Sequence, residues 1–237
     1  MEYSPILAIA TALFEVAVAA WALWGPGDRG VVRTTATILL LLAGYQIMEV
    51  AICADVHAAG ILPRLAFLDV TWLPPLGLVL VAQLYRPRSR LLHAAGRSML
   101  AAALGIAFWI VLDPSFATAS VCSAVYARYT HAMPRFTLYA GFYWVGLAGM
   151  VALSGYGAKA SADPHRRRLL VQVLLGTLGF VVPAAVASWF VPTARGALPS
   201  VMCHLALILA AFLARMIVLE RRQARGEESP APASELT

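Results

Sequence analysis

Seven stretches of about twenty consecutive, mostly apolar residues decide most of what this chain can be. They run over roughly residues 4–24, 33–54, 62–85, 91–112, 135–156, 169–191 and 198–219. A helix rises about 1.5 Å per residue, so about 20 residues cross about 30 Å of hydrocarbon. The stretches are continuous and rich in Ala and Leu, without the alternation that a barrel strand requires. The predicted fold class is all-α: a seven-transmembrane-helix bundle over residues 1–222, followed by a disordered tail at 223–237. That tail is rich in Glu, Ser, Pro and Ala, too polar to bury a core. Composition agrees. The chain is 61% apolar and 13% charged, with mean hydropathy +0.76, against about half and a quarter in a soluble domain. A water-soluble enzyme, a disordered chain and a disulfide scaffold are thereby excluded. The first stretch reads as a span and not a cleaved signal peptide, because it lacks a basic start and Glu15 interrupts its apolar run.

Orientation follows from Lys and Arg. Fourteen of the 18 lie in connections on one side: Arg29, Arg33, Arg86, Arg88, Arg90, Arg97, Lys159, Arg166, Arg167, Arg168, Arg215, Arg221, Arg222 and Arg225. Arg64, Arg128, Arg135 and Arg195 lie on the other. The expected topology has the N-terminus outside and the C-terminus in the cytoplasm, in a bacterial cytoplasmic (inner) membrane. The net charge of +6 matches orientation and anionic headgroups, so the lipid bilayer is the expected partner and nucleic acid is not. Residues 113–134 form a long outer segment, and such a loop usually carries structure or function of its own.

A charge inside hydrocarbon costs several kcal/mol unless paired or wetted. Glu15, Glu49, Asp69 and His204 fall on four different predicted spans, all in the outer half. Gln46, Glu49 and Cys53 stand at i, i+3 and i+7, on one face of the second span; Ser200 and His204 stand at i, i+4 on the seventh. Asp69 and Trp72 stand at i, i+3 on the third, where Pro74-Pro75 should kink the helix by removing two backbone donors. Tyr139, Tyr143 and Trp144 offer walls for a cavity. The expected ligand-binding set is Glu15, Gln46, Glu49, Asp69, Trp72, Ser200 and His204. The bland alternative is structural pairing, for instance Glu49 with Arg64 or Asp69 with His204. Trp21, Trp24, Tyr85, Tyr129 and Trp189 read as interface anchors, and Gly141, Gly146, Gly149 and Gly155 as packing residues. Cys53 and Cys122 are placed to form a disulfide if the exterior is oxidising. The other thiol reading is metal ligation, with Glu49, Asp69, Cys203 and His204 as the candidate set for zinc or copper. No CxxC or HExxH motif supports it.

The stretches Met1-Glu2-Tyr3-Ser4, Gly44-Tyr45-Gln46-Ile47-Met48-Glu49, Trp72-Leu73-Pro74-Pro75-Leu76 and Ser200-Val201-Met202-Cys203-His204-Leu205-Ala206 resemble an uncharacterised family of bacterial seven-helix membrane proteins. Its members begin Met-Cys-Phe-Ser, carry a Glu in a Gln-rich second helix, and bear Ser-Val-Trp-Cys-Phe-Phe on the seventh. Here Glu2, Met202 and His204 stand where that family has Cys, Trp and Phe. The resemblance implies a shared fold and an outer-half site, and brings no activity. A weaker resemblance, through Arg64, Asp69 and Pro75-Leu76, is to microbial rhodopsins. The only lysine is Lys159, outside the seventh span, so covalent retinal is excluded.

Three functions are expected of such a pattern. The first is an outward-facing polar pocket that binds a small cationic ligand or metal ion, in a receptor, sensor or transport-related protein. His204 would make that binding depend on pH. The second is a membrane-embedded, metal-dependent hydrolase or oxidoreductase acting on a lipid, with Ser200 or Cys203 as nucleophile. The third is a structural subunit of a membrane complex. Homo-oligomerisation is left open.

Overall fold

The structure, a computed structural model, describes residues 4–54, 61–85, 89–123, 127–131, 135–190 and 198–226. Glu2, Arg86, Arg88, Arg195 and the tail from Glu227 onward lie outside the described residues. The elements in chain order are α1 (Ile6–Leu23), α2 (Arg29–Ala54), α3 (Leu62–Val70), α4 (Leu73–Leu84), α5 (Arg90–Leu112), β1 (Ala117–Cys122), β2 (Ala127–His131), α6 (Arg135–Ala160), α7 (Pro164–Phe190) and α8 (Leu198–Ala224). With α3 and α4 taken as one segment, seven helices are long and apolar enough to cross a membrane. The chain therefore folds as a seven-helix bundle of the expected class. Four boundaries move by about one turn: α2 starts at Arg29, α6 runs on to Ala160, α7 starts at Pro164 and α8 runs on to Ala224.

Local chemistry sets the ends. Asp28 Oδ1 accepts from the N–H groups of Gly30 (2.9 Å) and Val31 (3.3 Å), which caps α2. Gly27, at φ +148°, makes the tight entry to that cap. Ser89 Oγ caps α5 through Leu92 N at 3.4 Å. The third span breaks where the prolines predict. Pro74 and Pro75 have no N–H for the carbonyls of Val70 and Thr71, so α3 ends at Val70 and α4 starts at Leu73.

That broken third span is the hub. About 67% of its most apolar window is buried, against 22% for α5 and for α6. Phe67, Leu80, Val81 and Leu84 on it are fully buried, and they join Leu39 and Tyr45 of α2, Leu169 and Leu170 of α7, and Leu213 and Met216 of α8 in one core. Large apolar side chains such as Leu13, Phe108, Leu138 and Val145 are more than 60% exposed, which suits a lipid-facing surface. Close approach needs glycine at two of the four predicted packing positions. A Cβ on Gly146 would stand 2.3 Å from Pro74 Cβ, and one on Gly149 3.1 Å from Leu78 Cδ2. Gly155 has ordinary contacts, and nothing lies within 4 Å of a Cβ on Gly141.

The segment between α5 and α6 holds an antiparallel hairpin. Ser120 pairs with Tyr129, Val121 with Arg128 and Cys122 with Ala127, with an irregularity between Ala117 and Ser120. The hairpin rests on α2, α3 and α8, and the Cys53–Cys122 disulfide ties it to α2 with the Cα atoms 5.8 Å apart.

Candidate functional site

The polar residues of the second and seventh spans meet in a ladder. Gln46 Nε2 donates to the Cys203 carbonyl at 2.7 Å. One turn further, Glu49 lies 3.1 Å from His204 Nε2 and accepts from Ser200 Oγ at 2.5 Å. Ser200 Oγ in turn accepts from the Ala127 N–H of the hairpin at 3.2 Å. The two helical spacings explain this: one face of α2 presents Gln46, Glu49 and Cys53 in succession to α8 and to β1. Gln46, Glu49 and Ser200 are fully buried, and Gln46 Oε1 has no hydrogen-bond partner among the described residues. The bland alternative offered Glu49 with Arg64, or Asp69 with His204, as structural pairs. Glu49 takes His204 instead, because both stand on facing turns of α2 and α8. Arg64 reaches outward, and its guanidinium donates to the Val111 carbonyl at 3.4 Å.

Glu15 and Asp69 are placed differently. Glu15 is fully buried in α1, and neither carboxylate oxygen has a hydrogen-bond partner among the described residues. Thr11, one turn earlier, also has a buried hydroxyl without a partner. Asp69 points at α2, its Oδ1 only 3.1 Å from where a Gly44 Cβ would stand, and its Oδ2 is buried without a partner. Glycine at position 44 leaves room for that carboxylate. Glu15, Glu49 and Asp69 all lie within electrostatic range of the Cys203 side chain. Trp72, half-buried at the break, joins neither the ladder nor the cavity described next.

Beside the ladder, under the hairpin, lies a cavity of about 150 Å³. Its walls are Phe67 and Val70 of α3, His131 of β2, Phe136, Tyr139, Ala140, Tyr143 and Trp144 of α6, and Pro199, Met202 and Cys203 of α8. Of the residues expected in a site, Tyr139, Tyr143, Trp144 and Cys203 line it. Cys203 and His204 are neighbours about 100° apart on α8, so one turns to the cavity and the other to Glu49. Asp69 lies behind the wall, within electrostatic range of Tyr139 and Tyr143.

Phe67 organises the upper wall. Phe116, Tyr129, His131, Phe136 and Tyr139 all meet its ring at steep angles, with centroids 5.1–5.8 Å away. Such edge-to-face pairs add about 0.5–1.5 kcal/mol each beyond burial. His131 stacks flat on Phe136 at 3.7 Å. Burial lowers its pKa to about 4, and a backbone hydrogen bond to Phe116 pulls weakly the other way, so the ring is neutral at pH 7. Tyr129, expected as an interface anchor, is instead buried, its hydroxyl 3.2 Å from that of Tyr45. Tyr85 also turns inward, donating to the Leu153 carbonyl at 2.6 Å. Trp24 and Trp189 are 88% and 77% exposed, as anchors would be.

A second polar cluster, at the far end of the bundle, escaped the sequence reading. Glu220 of α8 lies 3.2 Å from His165 Nε2 and 4.0 Å from Arg166 of α7. It also accepts from the Asp28 N–H at 3.2 Å. Beside it Arg221 donates to the Trp21 carbonyl and lies over the Trp21 ring, 3.8 Å from the centroid. The signal available was Glu220, a lone acid among the arginines that end α8.

Among the described residues, no three His, Cys, Asp or Glu side chains are grouped to hold a metal ion. Of the set named for zinc or copper, Glu49 and His204 face one another, while Cys203 lines the cavity and Asp69 turns toward Gly44. The chain matches no family model, no curated protein and no solved structure.

Proposed function

We propose that this chain is a bacterial inner-membrane binding protein, N-terminus outside, that takes a small organic cation into the aromatic cavity under its hairpin. One observation carries the reading. The cavity is walled by Phe67, Tyr139, Tyr143 and Trp144, and a buried carboxylate with an unpartnered oxygen, Asp69, stands behind that wall. Aromatic faces attract cations by about 0.5–2 kcal/mol each, most strongly where water is excluded. Carboxylates outnumber bases nearby, and the one imidazole on the wall is neutral at pH 7. The ligand class is therefore an ammonium carrying little more than methyl groups, since about 150 Å³ holds no drug-sized molecule.

Two features support the orientation. The Lys and Arg distribution puts the hairpin outside, and the Cys53–Cys122 disulfide belongs in an oxidising compartment. Next to the cavity lies a pocket of about 30 Å³, lined by Leu, Ile, Val, Met and Phe together with Tyr143, Cys203 and Ala206. An aromatic chamber beside an apolar plug suits a receptor, sensor or gated transport component better than an open pore. The likeness to the uncharacterised seven-helix family stands as a proposal of the same rank. In its favour, Glu49 and Ser200, on two of the stretches that carry it, bond to one another.

The test uses the full chain in mild detergent, titrated calorimetrically with tetramethylammonium. Saturable binding is expected, weakened about tenfold by Tyr143→Leu, Trp144→Leu or Asp69→Asn, which is about 1.4 kcal/mol each. No saturable binding, or an affinity that none of the three variants moves, rejects the reading.

A further inference from the structure

The end of the bundle away from the hairpin holds a second concavity, of about 370 Å³, where α6 turns into α7. Ser161, Pro164, Arg167, Arg168, Val171 and Gln172 line it. The run Arg166-Arg167-Arg168 divides here. Arg166 turns to Glu220, while Arg167 and Arg168, both exposed, border the concavity. Two arginines at a helix start would be unremarkable at a membrane rim. Gln172 is not. It is about 93% buried, it lines the same concavity, and its Oε1 has no partner among the described residues. A buried amide oxygen without a partner costs about 1–3 kcal/mol. A half-turn of its terminal bond presents NH2 where the oxygen stands, so the group can meet either an acceptor or a donor.

Position along the helix makes these donors a two-level set. Gln172 lies one turn, about 6 Å, deeper than Arg168. In a glycerophospholipid the ester carbonyls likewise lie deeper than the phosphate. We propose that this concavity binds one anionic glycerophospholipid, with the phosphate on Arg167 and Arg168, an ester carbonyl on the Gln172 amide, and an acyl chain leaving past Val171. The assignment is independent of the aromatic cavity at the other end.

Full-length protein in mild detergent would be mixed with phosphatidylglycerol, phosphatidylcholine or inorganic phosphate, and retained lipid counted by native mass spectrometry. One phosphatidylglycerol per chain is expected to survive mild activation, with phosphatidylcholine at least fivefold less retained and inorganic phosphate not competing at millimolar concentration. Gln172→Leu, which leaves the net charge unchanged, should lower retention at least fivefold. Should that variant fail to fold, Arg167→Gln with Arg168→Gln, both on exposed positions, should have the same effect. Equal retention of both lipids, or retention untouched by the substitutions, means only general charge attraction and overturns the proposal. Displacement by inorganic phosphate overturns the lipid assignment in favour of a phosphate site.

Discussion

Two buried glutamate–histidine pairs stand at opposite ends of this bundle, with almost the same separation and different surroundings. At the hairpin end, Glu49 and His204 lie 3.1 Å apart, with the Ser200 hydroxyl and the Gln46 amide beside them. At the far end, Glu220 and His165 lie 3.2 Å apart, with Arg166 at 4.0 Å and Arg221 stacked on Trp21. The far pair sits where chain ends and basic loops meet, so its charge is balanced several times over. The near pair sits beside two further carboxylates, Glu15 and Asp69, whose buried oxygens have no recorded partner. One end is electrostatically closed and fastens α2, α7 and α8 together. The other sets the Glu15 and Asp69 carboxyl groups at the same end as an aromatic chamber, which is where binding chemistry has something to act on.

The largest effect should come from breaking the near pair. Removing one member of a buried ion pair strands the other and costs about 3–5 kcal/mol. Glu49→Ala also frees Ser200, which holds the hairpin through Ala127 N. Unfolding in mild detergent should show that full loss for Glu49→Ala and a smaller one for Glu220→Ala, because that site lies at a helix end, where water can reach the His165 and Arg166 side chains it leaves behind. Equal losses would mean that the two pairs are energetically alike and that the contrast drawn above has no functional content.

How much of this contrast was legible beforehand depends on what the residue costs where it stands. The spans were legible because hydrocarbon about 30 Å thick tolerates nothing else over twenty residues. Glu49, Gln46, Ser200 and His204 were legible as one site because mid-span polarity is expensive and their spacings put them on single faces. Glu220 was overlooked for the opposite reason: close to a basic terminus, an acidic residue looks inexpensive. The hairpin was overlooked because β1 and β2 are short and built largely of Ala, Ser and Thr, which gives little alternation. The cluster around Phe67 joins rings from α3, the hairpin segment and α6, and only tertiary structure brings those together. Asp69 and Trp72, paired by helical spacing, separate because the Pro74-Pro75 break falls between the turns that carry them.

A middle-sized effect should come from the seam between the two ends. Gly146 lies against Pro74, at the break that separates the chamber from the apolar plug. A methyl there would overlap a proline ring that cannot rotate away, and such overpacking costs about 1–3 kcal/mol. Gly146→Ala should therefore lower the melting temperature and, by moving Tyr143 with α6, weaken tetramethylammonium binding. Gly141→Ala meets nothing within 4 Å and gains helix propensity of about 0.5–1 kcal/mol, so it should be neutral or slightly stabilising. Equal destabilisation by both would show that helix propensity, not the contact at the break, governs this span.

The smallest effect should be a pH dependence confined to the hairpin end. Burial holds His131 at about 4, below the ordinary value near 6.5. Between those values the unfolded chain binds the proton and the folded chain does not, so acid favours unfolding. The contribution of His131 is fully present above about pH 6.5 and is lost as pH falls toward 4. Partial exposure screens it, and the change should stay below about 1 kcal/mol. Melting curves at pH 7.5 and pH 5 should differ by less for His131→Phe than for the parent chain, because phenylalanine keeps the stack on Phe136 and removes the titration. Protonation would also put a positive charge on the chamber wall, so tetramethylammonium affinity should fall with acid in the parent and less so in the variant. A parent whose stability and affinity are both flat from pH 7.5 to 5 would take His131 out of the chamber's electrostatics altogether.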